Sequence, residues 1–289
     1  MRRSHIYIIV LLWLFCALPA AGMSTIVEVK LPSGRTATAE YIQGKASRPA
    51  VLVLHGFLQT RGFPTVAGVA QSFSAAGYTV LSPNLSLGIS QRNKSLPCEA
   101  IHTHALEDDV AEIAYWTRWL AGKTHARIVL VGHSFGNIQI LSYLSQKPLP
   151  AVEKAITIAL TDVEVRQSAL QRAQLSRELR DRIARGDNSL VITEYGQCKT
   201  YPSAPAALLS YVDITRSTIL AWLAKSPVPV ETIMGSKDER MGPDWADKLR
   251  AQGIAVRMIA GANHFFDDQY EFDLQDAVLQ AMDMRKREQ

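Results

Sequence analysis

The stretch RIVLVGHSFGN, Arg127 to Asn137, restricts what this chain can fold into more than any other. Ile128 to Val131 is a short apolar run, largely β-branched and bounded by polar residues, the pattern of a strand buried on both faces. The residues that follow, NIQILSYLSQ, place Ile138, Leu141 and Leu144 at helical spacing. Between strand and helix stand two glycines, Gly132 and Gly136, with Ser134 midway. A serine there is either turn chemistry or a nucleophile raised for attack.

The same alternation runs along the chain from residue 24. STIVEVKL and TATAEYI, joined by PSGR, read as an antiparallel hairpin. PAVLVLHGF, YTVLSPNL, AITIAL, PVETIMG and AVRMIAG read as further strands. TVAGVAQSFSAAG, HALEDDVAEIAYWTRWL and a last segment from about Asp268 to Arg285 read as helices. Strands alternating with helices imply an α/β protein with a mostly parallel, doubly wound sheet of about eight strands. One region breaks the rhythm, from about residue 162 to 214. It opens with the charged helix VRQSALQRAQLSRELRDRIARGD and continues as the irregular NSLVITEYGQCKTYPSAPAA. That is too long for a plain connection and reads as an inserted cap over one end of the sheet.

The 289 residues, 47% apolar and 20% charged, are those of an ordinary globular chain. Of the net charge of +4, Arg2 and Arg3 supply two, so no nucleic-acid surface is expected. The first 22 residues read separately. MRRSH precedes thirteen apolar residues, Ile6 to Leu18, and then the small residues of PAAGMS. A basic start, an apolar stretch of this length and a small-x-small exit describe a secretory signal peptide. It is short of the roughly 20 residues a spanning helix needs, so no stable membrane anchor is expected after processing. The mature domain is then 23–289, periplasmic or secreted. RRSHIY matches a twin-arginine signal poorly, and the route of export stays open. Cys16 lies inside the apolar stretch, which leaves Cys98 and Cys198 as an even pair in an oxidising compartment. They are expected as a disulfide, with two unrelated buried thiols the alternative.

In a parallel sheet, functional groups collect at the carboxyl ends of the strands. Four such ends stand out: His55-Gly56-Phe57, Gly132-His133-Ser134-Phe135-Gly136, Asp238 in GSKDE, and His264 in GANHFFDD. The chain order Ser, Asp, His and the pentapeptide G-H-S-F-G resemble the α/β-hydrolase superfamily over essentially the whole mature chain. The resemblance implies Ser134 as nucleophile, His264 as its base and Asp238, 26 residues before His264, as the acid that orients the base. Asp162, after AITIALT, occupies the strand end that some members use instead. The elbow points the Phe135 amide at the reacting centre beside a helix N-terminus, and the Phe57 amide is expected as the second donor to the oxyanion. His55, His133 and His125 read as structural.

The implied activity is hydrolysis of a carboxylic ester or thioester through an acyl-serine, with no cofactor or metal. A small-molecule ester with an apolar part is expected as substrate, from Phe57, Phe135, Phe265 and Phe266 near the site. A peptidase or acyltransferase would use the same triad, and a non-catalytic binding protein of this fold is a third reading. C-x₃-H-x-H (Cys98, His102, His104) has ligand types that suit zinc, but a structural site wants four ligands and no second cluster accompanies these three.

Overall fold

The computed structural model describes residues 23–165 and 167–283. The expected signal peptide, residues 1–22, lies outside them. The chain opens with β1 (Ser24–Lys30) and β2 (Thr36–Ile42), paired antiparallel across a turn in which Gly34 takes φ +82°. There follow β3 (Ala50–Leu54), α1 (Pro64–Ala75), β4 (Thr79–Asn84), α2 (Leu106–Thr124), β5 (Ile128–His133), α3 (Phe135–Leu144) and β6 (Val152–Ile158). After an insertion the chain resumes with α6 (Arg216–Lys225), β9 (Val230–Gly235), α7 (Trp245–Ala251), β10 (Ala255–Ile259) and α8 (Tyr270–Asp283). The insertion holds α4 (Ala169–Ala184), the strands β7 (Val191–Tyr195) and β8 (Cys198–Ser203), and α5 (Pro205–Val212).

Eight strands form one sheet in the order β1-β2-β4-β3-β5-β6-β9-β10. From β4 to β10 neighbours run parallel, and β1 and β2 are antiparallel at one edge. The inner strands are buried along their whole length because both faces are covered, which is why they read as unbroken apolar runs. Alternation decides which side chain goes where. Leu52 and Leu54 face a core with Ile113, Trp116 and Leu141 of α2 and α3. Val51 and Val53 face the opposite core, with Val66 and Phe73 of α1 and Val278 of α8. This is the doubly wound α/β sheet that the sequence pattern implies.

The insertion departs from its sequence reading in one respect. NSLVITEYGQCKTYP is not irregular: β7 and β8 pair antiparallel around Gly196, whose φ of +59° lets the chain reverse between Tyr195 and Cys198. Strand periodicity is weak there because the hairpin is stabilised from outside itself. Cys198 forms a disulfide with Cys98, with Cα atoms 5.3 Å apart. Beside it, His102 N–H donates to the Pro202 carbonyl (2.9 Å) and Ala204 N–H to the His102 carbonyl (3.1 Å). The His102 ring stacks flat on Tyr201 at 3.9 Å between centroids. Helix α4 starts where its sequence permits: Ser168 and Gln171 form a reciprocal capping box, each side chain accepting from the other's amide. Among the described residues no helix is long and apolar enough to cross a membrane.

Candidate active site

Ser134 joins β5 to α3 with φ +56° and ψ −123°, a conformation a residue with a side chain enters only under constraint. Three glycines provide the room. A Cβ at Gly132 would stand 2.7 Å from Asn137 Oδ1, and one at Gly136 would stand 2.5 Å from the His55 carbonyl oxygen. At Gly56 the added atom would meet Ser134 Cβ at 3.1 Å. The turn is held from below by Ser134 N–H donating to Ile158 carbonyl (2.9 Å), with Asn137 Nδ2 donating to the same oxygen (2.7 Å). The sheet therefore places the serine; its own helix does not cap with it.

Two loops from strands further along the sheet meet it. His264, after β10, lies with Nε2 2.8 Å from Ser134 Oγ, and its Nδ1 lies 2.8 Å from Asp238 Oδ2 at the end of β9. The carboxylate accepts at Nδ1–H, so Nε2 carries the lone pair and accepts from the serine hydroxyl. Asp238 Oδ1 is itself held by the Arg240 amide at 2.8 Å, and all three residues are buried. Ser134 Oγ also lies 3.4 Å from Thr161 Oγ1.

Asp162, the alternative carboxylate, has another partner. Its two oxygens accept from Nε (2.8 Å) and Nη2 of Arg216, and the same guanidinium lies 3.1 Å from Asp244. The Asp162 side chain is fully buried in this pair. Sequence order alone left two acids for one histidine, and Arg216, 54 residues downstream, claims one of them.

The Phe57 and Phe135 amides face no protein acceptor among the described residues. The loop bearing Phe57 is fixed by a buried cluster that the sequence does not advertise. His55 Nε2 accepts from Leu85 N–H (3.1 Å) and Arg92 Nη2 (2.9 Å), while its Nδ1–H donates to Gly56 carbonyl (2.9 Å). Burial, reinforced by the Arg92 charge, drives the His55 pKa down to about 3, so the ring is neutral and its tautomer set. Arg92 also donates to the Leu85, Gln59 and Lys94 carbonyls, tying the loop after β4 to the one after β3. His133 is likewise driven to about 3, first by burial and then by the neighbouring His264. His125 sits in the left-handed conformation at the end of α2, away from these groups.

An open pocket of about 620 Å³, mouth included, leads to Ser134. Phe57, Phe135, Val163 and Tyr195 give it apolar walls, and Gly196 and Gln197 of the hairpin turn close one side. Phe57 and Phe135 meet edge to face at 5.6 Å. Phe266 lies in the core beside α8 and Phe265 packs on Phe63, so of the four phenylalanines only Phe57 and Phe135 line the pocket. Cys98, one of the three residues in C-x₃-H-x-H, is taken up by the disulfide.

A mostly parallel eight-stranded sheet, helices on both faces and a strained serine at the carboxyl end of its central strand define the α/β-hydrolase class of fold. The chain belongs to the alpha/beta hydrolase family, whose model matches residues 51–272. No curated protein sequence matches it. Among solved structures it is similar to the alpha/beta hydrolase GrgF from Penicillium sp. sh18, at 16% identity and a TM-score of 0.67 over 92% of this chain and 98% of that one. Est1E from Butyrivibrio proteoclasticus is similar at 14% identity and a TM-score of 0.63, over 89% of this chain and 97% of that one. A thioesterase domain from the curacin biosynthetic pathway gives 18% identity and a TM-score of 0.58, over 89% and 99%.

Proposed function

We propose that this protein is a serine hydrolase that cleaves carboxylic esters or thioesters. The observation that carries the reading is the unbroken line Ser134 Oγ, His264 Nε2, His264 Nδ1, Asp238 Oδ2, with 2.8 Å at each hydrogen bond. A hydroxyl is a weak nucleophile until a base takes its proton. As Ser134 Oγ attacks the carbonyl carbon, His264 receives the proton, and Asp238 stabilises the imidazolium and keeps Nδ1 protonated. The carbonyl oxygen becomes an oxyanion in front of the Phe57 and Phe135 amides, at the N-terminus of α3. His264 then returns the proton to the departing alcohol or thiol, leaving acyl-Ser134. A water deprotonated by His264 releases the acid and restores the serine.

The pocket's aromatic and aliphatic walls support a substrate with an apolar body. That a thioesterase domain shares the fold is consistent with a thioester as well as an ester. Export of the mature chain, residues 23–289, to the periplasm or beyond belongs to the same proposal, and the disulfide is compatible with it.

The test is labelling of the purified protein with a fluorophosphonate, read by intact mass and peptide mapping. Stoichiometric modification at Ser134, absent in Ser134→Ala, supports the proposal, as does hydrolysis of 4-nitrophenyl esters that vanishes with it. A protein that neither labels nor turns over any ester or thioester would overturn it. Transfer of the acyl group to an added alcohol or amine in place of water would replace hydrolysis with acyl transfer.

A further inference from the structure

Arg172, in the first turn of α4, is a buried guanidinium with no carboxylate partner among the described residues. It is only 6% exposed, and it lines the pocket that leads to Ser134. Nη1 donates to the Val163 carbonyl (3.0 Å), and Nη2 to the carbonyls of Val212 (2.9 Å) and Ile214. Its Nε–H is buried with no acceptor among the described residues. The nearest acid in sequence to those carbonyls, Asp213, is occupied by Ser176 Oγ (2.7 Å) and Arg180.

The carbonyls at the C-terminal end of α5 offer partial negative charge, roughly half an elementary charge in all. A full positive charge in a pocket wall is costly unless something of opposite sign completes it. Among the described lining residues the one acid, Asp162, is consumed by Arg216 and does not supply that charge. A second arginine, Arg240, lines the same pocket, with its guanidinium 5.1 Å over the Phe265 ring. The described lining residues thus combine apolar walls with the side chains of Arg172 and Arg240.

We infer that the substrate is an ester or thioester carrying an anionic group, a carboxylate or a phosphate, which Arg172 and Arg240 hold beneath the insertion while the apolar body lies against Phe57 and Phe135. This rests on the proposed role of Ser134. The anion can belong to the acyl part or to the leaving group, and guanidinium recognition is the same for both.

Two isosteric pairs test it. For the acyl side, kcat/KM is compared for the mono-4-nitrophenyl ester of glutaric acid and that of glutaramic acid. For the leaving side, 4-carboxyphenyl acetate is compared with 4-carbamoylphenyl acetate. One pair is expected to favour the charged member about tenfold or more, the scale of a charge-assisted hydrogen bond. The ratio should fall toward one in Arg240→Gln and in Arg172→Met. Should Arg172→Met fail to fold, Arg240→Gln still carries the test. A purely structural Arg172, clamping α4 to α5, would leave the ratio unmoved. Ratios at or below one in both pairs, with Ser134 still labelled by fluorophosphonate, would overturn this inference alone. A preference that persists in both variants would also overturn it. Loss of labelling would instead overturn the proposed function.

Discussion

His133 Nε2–H donates to the backbone carbonyl of His264 at 3.1 Å, so the residue preceding Ser134 holds the residue whose ring meets Ser134. The two loops are fastened at the backbone as well as through the serine–histidine hydrogen bond. The neutral His133 ring lies between Phe63, stacked at 6.1 Å, and His264 at 5.4 Å. On the proposed mechanism His133 is a positioning residue. His133→Phe keeps the ring volume and removes the donor. It should lower kcat about tenfold with little change in KM, and cost about 1–3 kcal/mol of stability for the stranded carbonyl. His133→Gln, which retains an N–H, should recover part of the kcat. Equal kcat in the Phe variant would show that His264 needs no such support.

Asp238 and Asp162 should separate cleanly by substitution. Asp238→Asn loses the acceptor that sets the His264 tautomer and should cost on the order of 10⁴ in kcat, with a nearly unchanged melting temperature. Asp162→Asn removes one carboxylate from Arg216, which keeps Asp244, and should cost about 1–3 kcal/mol of stability, with a far smaller loss of turnover. Paired thermal melts and initial rates read both. The reverse pattern would assign the orienting role to Asp162.

Reduction of Cys98–Cys198 opens a crosslink spanning 100 residues. The chain-entropy model gives about 4–5 kcal/mol as an upper figure, or a melting temperature lower by on the order of 10 °C. The backbone bonds between His102 and residues 202–204 survive reduction, so the hairpin should stay near its place while its turn, at Gly196 and Gln197, loosens over the pocket. Turnover of a small acetyl ester should change less than the preference among longer acyl chains. Melts and a chain-length panel with and without a phosphine reductant decide this, and thiol titration of the denatured, unreduced protein checks that the bond is formed.

Stability should fall on acidification in a way set by three strongly shifted buried groups, with His102, lowered by burial, adding in the same sense as the other histidines. His55 and His133, each held to about 3, are neutral in the fold but take up protons when unfolded near pH 6.5. Their contribution is intact above about pH 6.5 and is lost as pH falls toward 3. Glu112, raised to about 7 mainly by burial, acts oppositely: its contribution is present below about 4.5 and is lost as pH rises through 7. Between about 4.5 and 6.5 the two histidines outweigh the one carboxyl, and below 4.5 that carboxyl no longer opposes them. Unfolding free energy against pH should therefore be level above 7, decline gently to about 4.5, and steepen beneath it. Denaturant melts across that range measure the slope, and a flat profile between 4.5 and 3 would contradict the neutral state of the two rings.

The amino-acid pattern by itself determined the sheet, because burial on two faces demands unbroken apolar strands and leaves a signature within each segment, as in Leu52 and Leu54 against Val51 and Val53. It also determined the turn at Ser134, since Gly132 and Gly136 are local steric requirements. What it could not decide depends on partners far along the chain. Asp238 and Asp162 are equivalent strand-end acids until Arg216 is folded against one of them. The hairpin of Tyr195 and Cys198 looks irregular because its stability comes from Cys98 and His102. Arg172 reads as one more solvated charge on a polar helix, and only packing of α4 against the carbonyls of Val212 and Ile214 turns it into the wall of a pocket. Charge and hydrogen-bond pairing are properties of the assembled molecule, whereas backbone sterics and burial periodicity are written residue by residue.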